Sequence, residues 1–172
     1  MRKKLLQGFS LIEMLIVIGI LGLLAVALLV TINPIAQIQK SNDAQRKNDL
    51  AQFKRALDLY YNDNGRYPVS SVDFKIVISG SSIEWGGSWL PYMNKIPKDP
   101  VGGHVYQYYA PATANGQTYY LYANLERGAK DPQSCNSGNV CTSISSGGAG
   151  FPAANSCGGT CNYAITSPNV NP

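Results

Sequence analysis

Histidine is almost absent from this sequence, and cysteine is confined to its last quarter. The 172 residues include one histidine, His104, and no cysteine before Cys135. No serine or cysteine nucleophile motif accompanies the histidine, and no glycine-rich loop followed by lysine is present to hold a phosphate group. The sequence therefore contains no constellation typical of an enzyme, and we expect a non-enzymatic chain without a cofactor.

The net charge of the chain is small outside its first four residues. The formal charge is +4, but Arg2, Lys3 and Lys4 stand among the first four residues, so the side chains that follow carry 4 − 3 = +1. A nearly neutral body gives no electrostatic reason to expect nucleic-acid binding. The length is sufficient for one modest folded head in addition to the amino-terminal segment.

The long stretch without charge lies near the amino terminus. No residue from Met14 to Ile32 is charged. A helix of this length rises about 28 Å, close to the hydrocarbon thickness of a bilayer, about 30 Å. The basic residues before it place the amino terminus in the cytoplasm and the head outside. We therefore predict that this segment spans a membrane.

Three kinds of amino-terminal segment fit this pattern. A secretory signal peptide would be cut after Ala25-Val26-Ala27, a simple anchor would remain uncut, and a leader ending at Gly8 would leave the apolar segment on the mature chain. Glu13 distinguishes them, because an ionised carboxylate inside a membrane span costs about 2.5–3.5 kcal/mol and needs a functional reason. Glu13 follows Phe9 by four residues, which on a helix places both on one side. In a helical bundle, this carboxylate could pair with the amine that cleavage after Gly8 creates on a neighbouring copy.

The segment Gly8-Phe9-Ser10-Leu11-Ile12-Glu13-Met14 resembles the processing motif of type IV prepilins and type II secretion pseudopilins. The resemblance implies cleavage after Gly8 by an inner-membrane prepilin peptidase, N-methylation of Phe9, and a role for Glu13 in setting the subunit register. It implies a single-pass precursor in the inner membrane that then self-polymerises into an extracellular pilus, with a cytoplasmic ATPase and a membrane platform protein as partners. Two functions remain open: a structural subunit of a type IV pilus or related filament, or a secretion or DNA-uptake pseudopilin or minor tip pilin.

A second, amphipathic half of the helix is predicted after the apolar segment. Apolar residues recur at three- and four-residue spacings and form a stripe that should hold the head; they are Ile35, Ile38, Leu50, Phe53, Leu57, Tyr60 and Tyr61. Pro34 is predicted to kink the helix. The predicted organisation is a leader at residues 1–8, one long helix at 9–61 whose membrane and assembly half is 9–33, and a head at 62–172.

The head is predicted to be a small antiparallel sheet. Residues 105–109 and 118–125 are aromatic and β-prone and form a predicted hairpin, and residues 162–166 add a last strand. Residues 69–94 are predicted to be an irregular connection whose two tryptophans pack into the core. Along the second strand, alternate residues face the helix and the others meet solvent or a neighbour. The predicted fold class is therefore α+β, with a long amino-terminal helix packed on this sheet.

The four cysteines predict disulfides, because they follow an export-type amino terminus and their spacings are wider than those of a usual metal site. They are Cys135, Cys141, Cys157 and Cys161. Three pairings are open, and the two local loops, Cys135–Cys141 and Cys157–Cys161, are preferred.

The resemblance weakens from Ala129 onward. Calcium-binding members of the family supply several acidic or amide oxygens there, whereas this chain has Asp131 and mainly Asn136, Asn139 and Asn155. Calcium takes six to eight oxygen ligands, so no metal site is expected.

Overall fold

The computed structural model describes residues 8–146 and 150–172, so the predicted leader lies outside the described residues except for Gly8. Two compact units are present, Met1–Ile38 and Gln39–Pro172. The helices and strands are α1 (Leu11–Ile32), α2 (Pro34–Asn64), β1 (Val69–Ser70), β2 (Ile76–Ile78), β3 (Ser81–Ser82), β4 (Gln107–Tyr109), β5 (Tyr120–Ala123), α3 (Thr142–Ser146) and β6 (Tyr163–Thr166). The α+β class is confirmed.

Asn33 separates the first two helices. It adopts the left-handed backbone conformation with φ of 47°. Pro34 then begins α2, and a proline fits at the first position of a helix because it has no N–H to donate. The Asn33 side-chain oxygen accepts a hydrogen bond from the Ala36 N–H at 3.2 Å, which caps the new helix. The structure thus has two helices where the sequence predicted one helix with a kink.

The core of the head lies between α2 and a three-stranded sheet. Leu50, Phe53 and Leu57 are fully buried on α2, as the spacing predicted, and Tyr60 and Tyr61 pack partly buried beside them. The predicted stripe begins too early, because Ile35 and Ile38 are exposed and belong to the first unit.

The predicted hairpin and last strand are confirmed. Strands β4, β5 and β6 form an antiparallel sheet in that order, with Leu121 opposite Tyr108 on one side and Ile165 on the other. Alternate residues of the β5 region are buried in the core with α2; they are Tyr119, Leu121, Ala123 and Leu125. Trp85 and Trp89 pack against Phe53, with ring centroids 5.5 and 5.8 Å apart, which confirms their predicted packing role.

The connection at residues 69–94 is more regular than predicted. Strands β1, β2 and β3 form a second antiparallel sheet in sequence order. Ser79 and Gly80 join β2 to β3, both with positive φ, as a tight two-residue hairpin requires. Strands of two or three residues are too short to show the alternation by which a strand is recognised in a sequence.

The face of the β4-β5-β6 sheet that points away from α2 is covered by the carboxy-terminal segment. Tyr122 is fully buried in a cluster with Cys141, Cys157 and Cys161, and Phe151 packs against the same cluster. The prediction that this face of β5 meets solvent or a neighbour is therefore wrong at Tyr122. The segment is rich in glycine and serine, and its buried disulfide cysteines supply the apolar side chains that pack on Tyr122. The two disulfide-bonded loops therefore form the cover.

Candidate functional site

Over Leu11–Leu29, helix α1 presents apolar side chains on every side, and none of them is buried against the described residues. The 19 residues Leu11–Leu29 are long and apolar enough to cross a membrane, and none is buried within the described chain. Leu11 and Leu23 are 83% and 76% exposed. Exposed apolar area costs roughly 25 cal/mol per Å² in water, so such a helix needs lipid or other helices around it.

The residues of the predicted processing site lie at the beginning of α1. Ser10 is the extended N-cap residue, and the Met14 N–H donates to its carbonyl at 3.2 Å. Phe9 therefore precedes the helix, and the four-residue spacing does not place it on the helical face of Glu13. Glu13 lies in the first turn, where a carboxylate is favoured by the helix dipole, and no ion pair to it occurs among the described residues.

A fully buried arginine connects α2 to two loops of the head. Arg46 Nε and Nη2 donate to the Asp99 carboxylate at 2.8 and 3.0 Å, and Nη1 donates to Asp43 and Glu126, both at 2.9 Å. Nη2 also lies 3.2 Å from His104 Nδ1. A guanidinium only donates hydrogen bonds, so the ring nitrogen is the acceptor of this contact. Burial alone would lower the pKa of Arg46, but the bonds and charge of Asp99, with the bonds to Glu126 and Asp43, raise it, so the arginine is charged.

Two aspartates extend this polar cluster along the same face of α2. The Asp43 carboxylate accepts the backbone N–H groups of Glu126 and Arg127, both at 2.9 Å, and so fixes the chain that follows β5. The Asp49 carboxylate accepts the hydroxyl of Tyr106 at 2.9 Å. Burial raises the pKa of Asp49, the bond from Tyr106 opposes this shift, and the nearby charge of Asp99 adds to it.

The cysteines form two local disulfides. Cys135 pairs with Cys141, and Cys157 pairs with Cys161, which are the two pairings preferred from the sequence. The Cys141 N–H donates to the Cys161 carbonyl at 3.1 Å, and the Cys135 N–H donates to the carbonyl of Asn162, just before β6, at 2.7 Å. Both loops are thereby joined to each other and to the sheet.

The cysteines and acidic residues of the described part of the chain form no metal-binding group. No group of three or more His, Cys, Asp or Glu residues is placed there to hold a metal ion. The loops after β5 are held instead by the disulfides and by the ion pairs of α2.

Two protein-family models match the chain. The first, described as the prokaryotic N-terminal methylation motif, covers residues 5–29 and so includes Gly8, Phe9 and Glu13. The second, described as type II secretion system protein G, covers residues 33–138, which is more than half of the chain. The chain belongs to the type II secretion system protein G family. The sequence resemblance to pseudopilins is thereby confirmed.

Curated relatives in this family match over most of their own length. Type II secretion system core protein G of Klebsiella pneumoniae is 35% identical over 108 residues, which is 61% of this chain and 75% of the relative. The protein of the same name from Klebsiella michiganensis is 33% identical over 114 residues, or 64% and 78%. The one from Pseudomonas aeruginosa is 31% identical over 135 residues, or 76% and 93%. No solved structure matches the chain significantly.

The protein G family model covers the head only as far as residue 138. Residues 33–138 contain Arg46 and its carboxylate partners. Cys141, the second disulfide and β6 lie beyond it. The cover over the outer face of the sheet is thus built largely from sequence that the protein G model does not include.

The buried arginine was missed from the sequence. Asp43, Arg46 and Asp49 recur every three residues just before the apolar stripe begins at Leu50, and this spacing places them on one face. That signal was available, because the apolar stripe predicts which face of α2 is buried. The partners of Arg46 could not be predicted from the sequence, because Asp99 lies 53 residues further along the chain.

Proposed function

We propose that this chain is the filament-forming pseudopilin of a type II secretion system, with a structural rather than an enzymatic role. The observation that carries the proposal is the exposed apolar helix α1, which holds one carboxylate, Glu13, and begins shortly after Gly8 and Phe9, where the sequence predicts cleavage. The protein G match supports secretion over a pilus that acts in adhesion or movement.

The processing steps follow from the position of these residues. A prepilin peptidase cuts after Gly8, and the new amine on Phe9 is methylated. Gly8 and Phe9 are exposed ahead of the helix, so the peptide bond between them is accessible to an enzyme. The precursor is held in the inner membrane by α1, and the mature chain leaves the bilayer when α1 packs among the same helices of other copies. A cytoplasmic ATPase and a membrane platform protein supply the energy and the site of assembly.

Glu13 sets the register of the filament in this proposal. Its carboxylate has no cation of its own among the described residues, and the amine on Phe9 of an adjoining copy would supply one. Two charges in an apolar bundle are each unfavourable alone, so the pair forms only when neighbouring helices are correctly staggered. The break at Asn33 and Pro34 gives the helical region a point where it can bend or extend during packing.

A Glu13→Ala variant tests this role. Removal of the charge should leave membrane insertion intact, because a carboxylate opposes insertion. Filament yield should fall at least about tenfold, equivalent to about 1.4 kcal/mol per contact. The measurements are the membrane-bound fraction and the amount of chain in sheared filaments when the secretion machinery is co-expressed.

Glu84→Ala is the matched control, because Glu84 is an exposed glutamate of the head. Its filament yield should equal that of the wild type. Glu13→Gln should behave as Glu13→Ala does, since the amide lacks the charge. Normal filaments from both Glu13 variants would contradict the register role.

A further inference from the structure

Calcium-binding members of the family bind the ion in the loop that follows β5, which here comprises residues 124–141. The side-chain oxygens of Asp131, Gln133 and Ser134 in this loop already take part in hydrogen bonds or ion pairs. Asp131 Oδ2 is bonded to the ammonium of Lys47, and Asp131 Oδ1 accepts the Gln133 N–H at 2.9 Å. Gln133 Oε1 accepts Lys47 Nζ at 3.0 Å. The Ser134 hydroxyl donates to the carbonyls of Gly128 and Asp131 at 2.7 and 2.8 Å. A calcium ion would need six to eight oxygens free to turn toward it.

The asparagine side chains of the same loop make bonds within the loop, and Asn136 Oδ1 accepts the Thr142 hydroxyl at 3.5 Å. Asn136 Nδ2 donates to the Val140 carbonyl at 2.7 Å, and Asn139 Nδ2 donates to the Asn136 carbonyl at 2.9 Å. These amides brace the loop that the Cys135–Cys141 disulfide closes. The residues present therefore do not fit a calcium ion.

The charge around the loop also opposes a metal cation. A cavity of about 400 Å³ lies between α2 and the loop and is lined by Lys40, Lys47, Arg127 and Lys130. Its two carboxylates belong to Asp43 and Asp131, and each already accepts a cationic side chain and at least one backbone N–H. Basic groups outnumber acidic ones, so a divalent cation would be repelled.

We propose that the ammonium of Lys47 takes the structural place of a bound cation and fastens the loop after β5 to α2, so that the head folds independently of calcium. Lys47 joins α2 to two other parts of the head, because its ammonium contacts Asp131 and Gln133 in the loop and lies 5.8 Å from the ring centre of Tyr163 in β6. The paired side chains of Lys47 and Asp131 are only 23% and 18% exposed, so solvent screens the pair less than one on the surface.

The backbone of the loop also packs closely against itself near Lys47's partners. Gly138 has φ of +92°, and a Cβ on it would lie 2.3 Å from the backbone nitrogen of Ala129. The loop thus folds directly onto its own start, with no room for side chains between. An ammonium supplied by the chain is present at every calcium concentration, whereas a bound calcium ion stabilises only as mass action fills its site. The head is therefore stable at any calcium level outside the membrane.

The test is the melting temperature of the full chain in detergent, measured with excess EDTA and with millimolar calcium chloride. The wild type should melt at the same temperature in both. Lys47→Met should lower the melting temperature by about 5 °C, since it leaves a half-buried carboxylate without its cation. Amide hydrogen exchange should become faster in residues 128–138. Lys54→Met is the matched control, because Lys54 is on the same helix and forms no ion pair in the described residues.

Two results with the wild type and the Lys47→Met chain would overturn the proposal. One is a saturable rise of the wild-type melting temperature with calcium that magnesium does not reproduce. The other is a Lys47→Met chain that melts and exchanges as the wild type does. If Lys47→Met does not fold, Asp131→Asn removes the same pair at its other end and should also lower the melting temperature. The Lys47→Met, Asp131→Asn double variant should melt no lower than the less stable of the two single variants. A loss of melting temperature equal to the sum of the two single losses would refute the pairing.

Discussion

Replacing Arg46 by methionine removes the cation on which three carboxylates of the head converge. Methionine fills a similar length with an apolar side chain, so the substitution deletes charge and hydrogen bonds with little loss of packing. Asp43 and Asp99 stay behind at 4% and 7% exposure. Asp43 keeps its two backbone N–H donors, and Asp99 keeps the Val101 N–H at 2.9 Å, but neither retains an opposite charge from Arg46.

The expected loss follows from that burial. Removing one partner of a buried ion pair costs about 3–5 kcal/mol, because the remaining charge is stranded. A domain is typically stable by about 5–15 kcal/mol, so this loss is a large part of the total. Arg46→Lys should cost less, because it keeps the charge but cannot make the two-bond contact with Asp99. Arg46→Met combined with Asp99→Asn should recover part of the loss, since one stranded charge is gone.

Urea unfolding of the full chain in detergent measures these differences. Tryptophan fluorescence reports on the core directly, because Trp85 and Trp89 both pack against Phe53. Arg55→Met is the control, since Arg55 is exposed on the same helix. An Arg46→Met chain that loses less than about 1 kcal/mol would refute the view that this cluster holds α2 to the head.

Two further effects are expected. Gly158→Ala should destabilise the head more than Gly80→Ala, because both have positive φ but only the Cβ at Gly158 meets the backbone, 2.0 Å from the Gly103 carbonyl oxygen; equal urea midpoints would contradict this. Burial would raise the pKa of Asp131, but the bonds from Lys47 and the Gln133 N–H lower it below its usual value. Its stabilisation is therefore present above the unfolded pKa, about 3.9, and is lost as pH falls through the folded pKa. Wild-type stability should fall more than that of Asp131→Asn between about pH 5 and pH 3, and parallel losses would count against it.

The parts of the fold that repeat a simple pattern were predictable from the sequence. Leu50, Phe53 and Leu57 follow the helical period, and the residues around Leu121 alternate as a strand with one face in the core does. Both patterns arise from burial of one face, which constrains every second or every third to fourth residue. The uncharged segment before Asn33 was equally clear, because few other roles require so long an apolar run.

The rest depends on contacts that no local pattern encodes. Arg46 finds its partners through the chain reversals that bring Asp99 and Glu126 against α2. The segment over Tyr122 has a loop-like composition, and only the two disulfides make it a cover. The sequence predicted a kink at Pro34, whereas the helix already ends before Asn33, which adopts the left-handed conformation and lets Pro34 begin a new helix.

The amino-terminal residue of the mature chain tests the filament proposal most directly. Sequencing and mass analysis of the processed protein should give a chain that begins at Phe9 with a methylated amine and still carries α1. A chain that begins at Leu28 would lack most of that helix together with Glu13, and would contradict assembly through it.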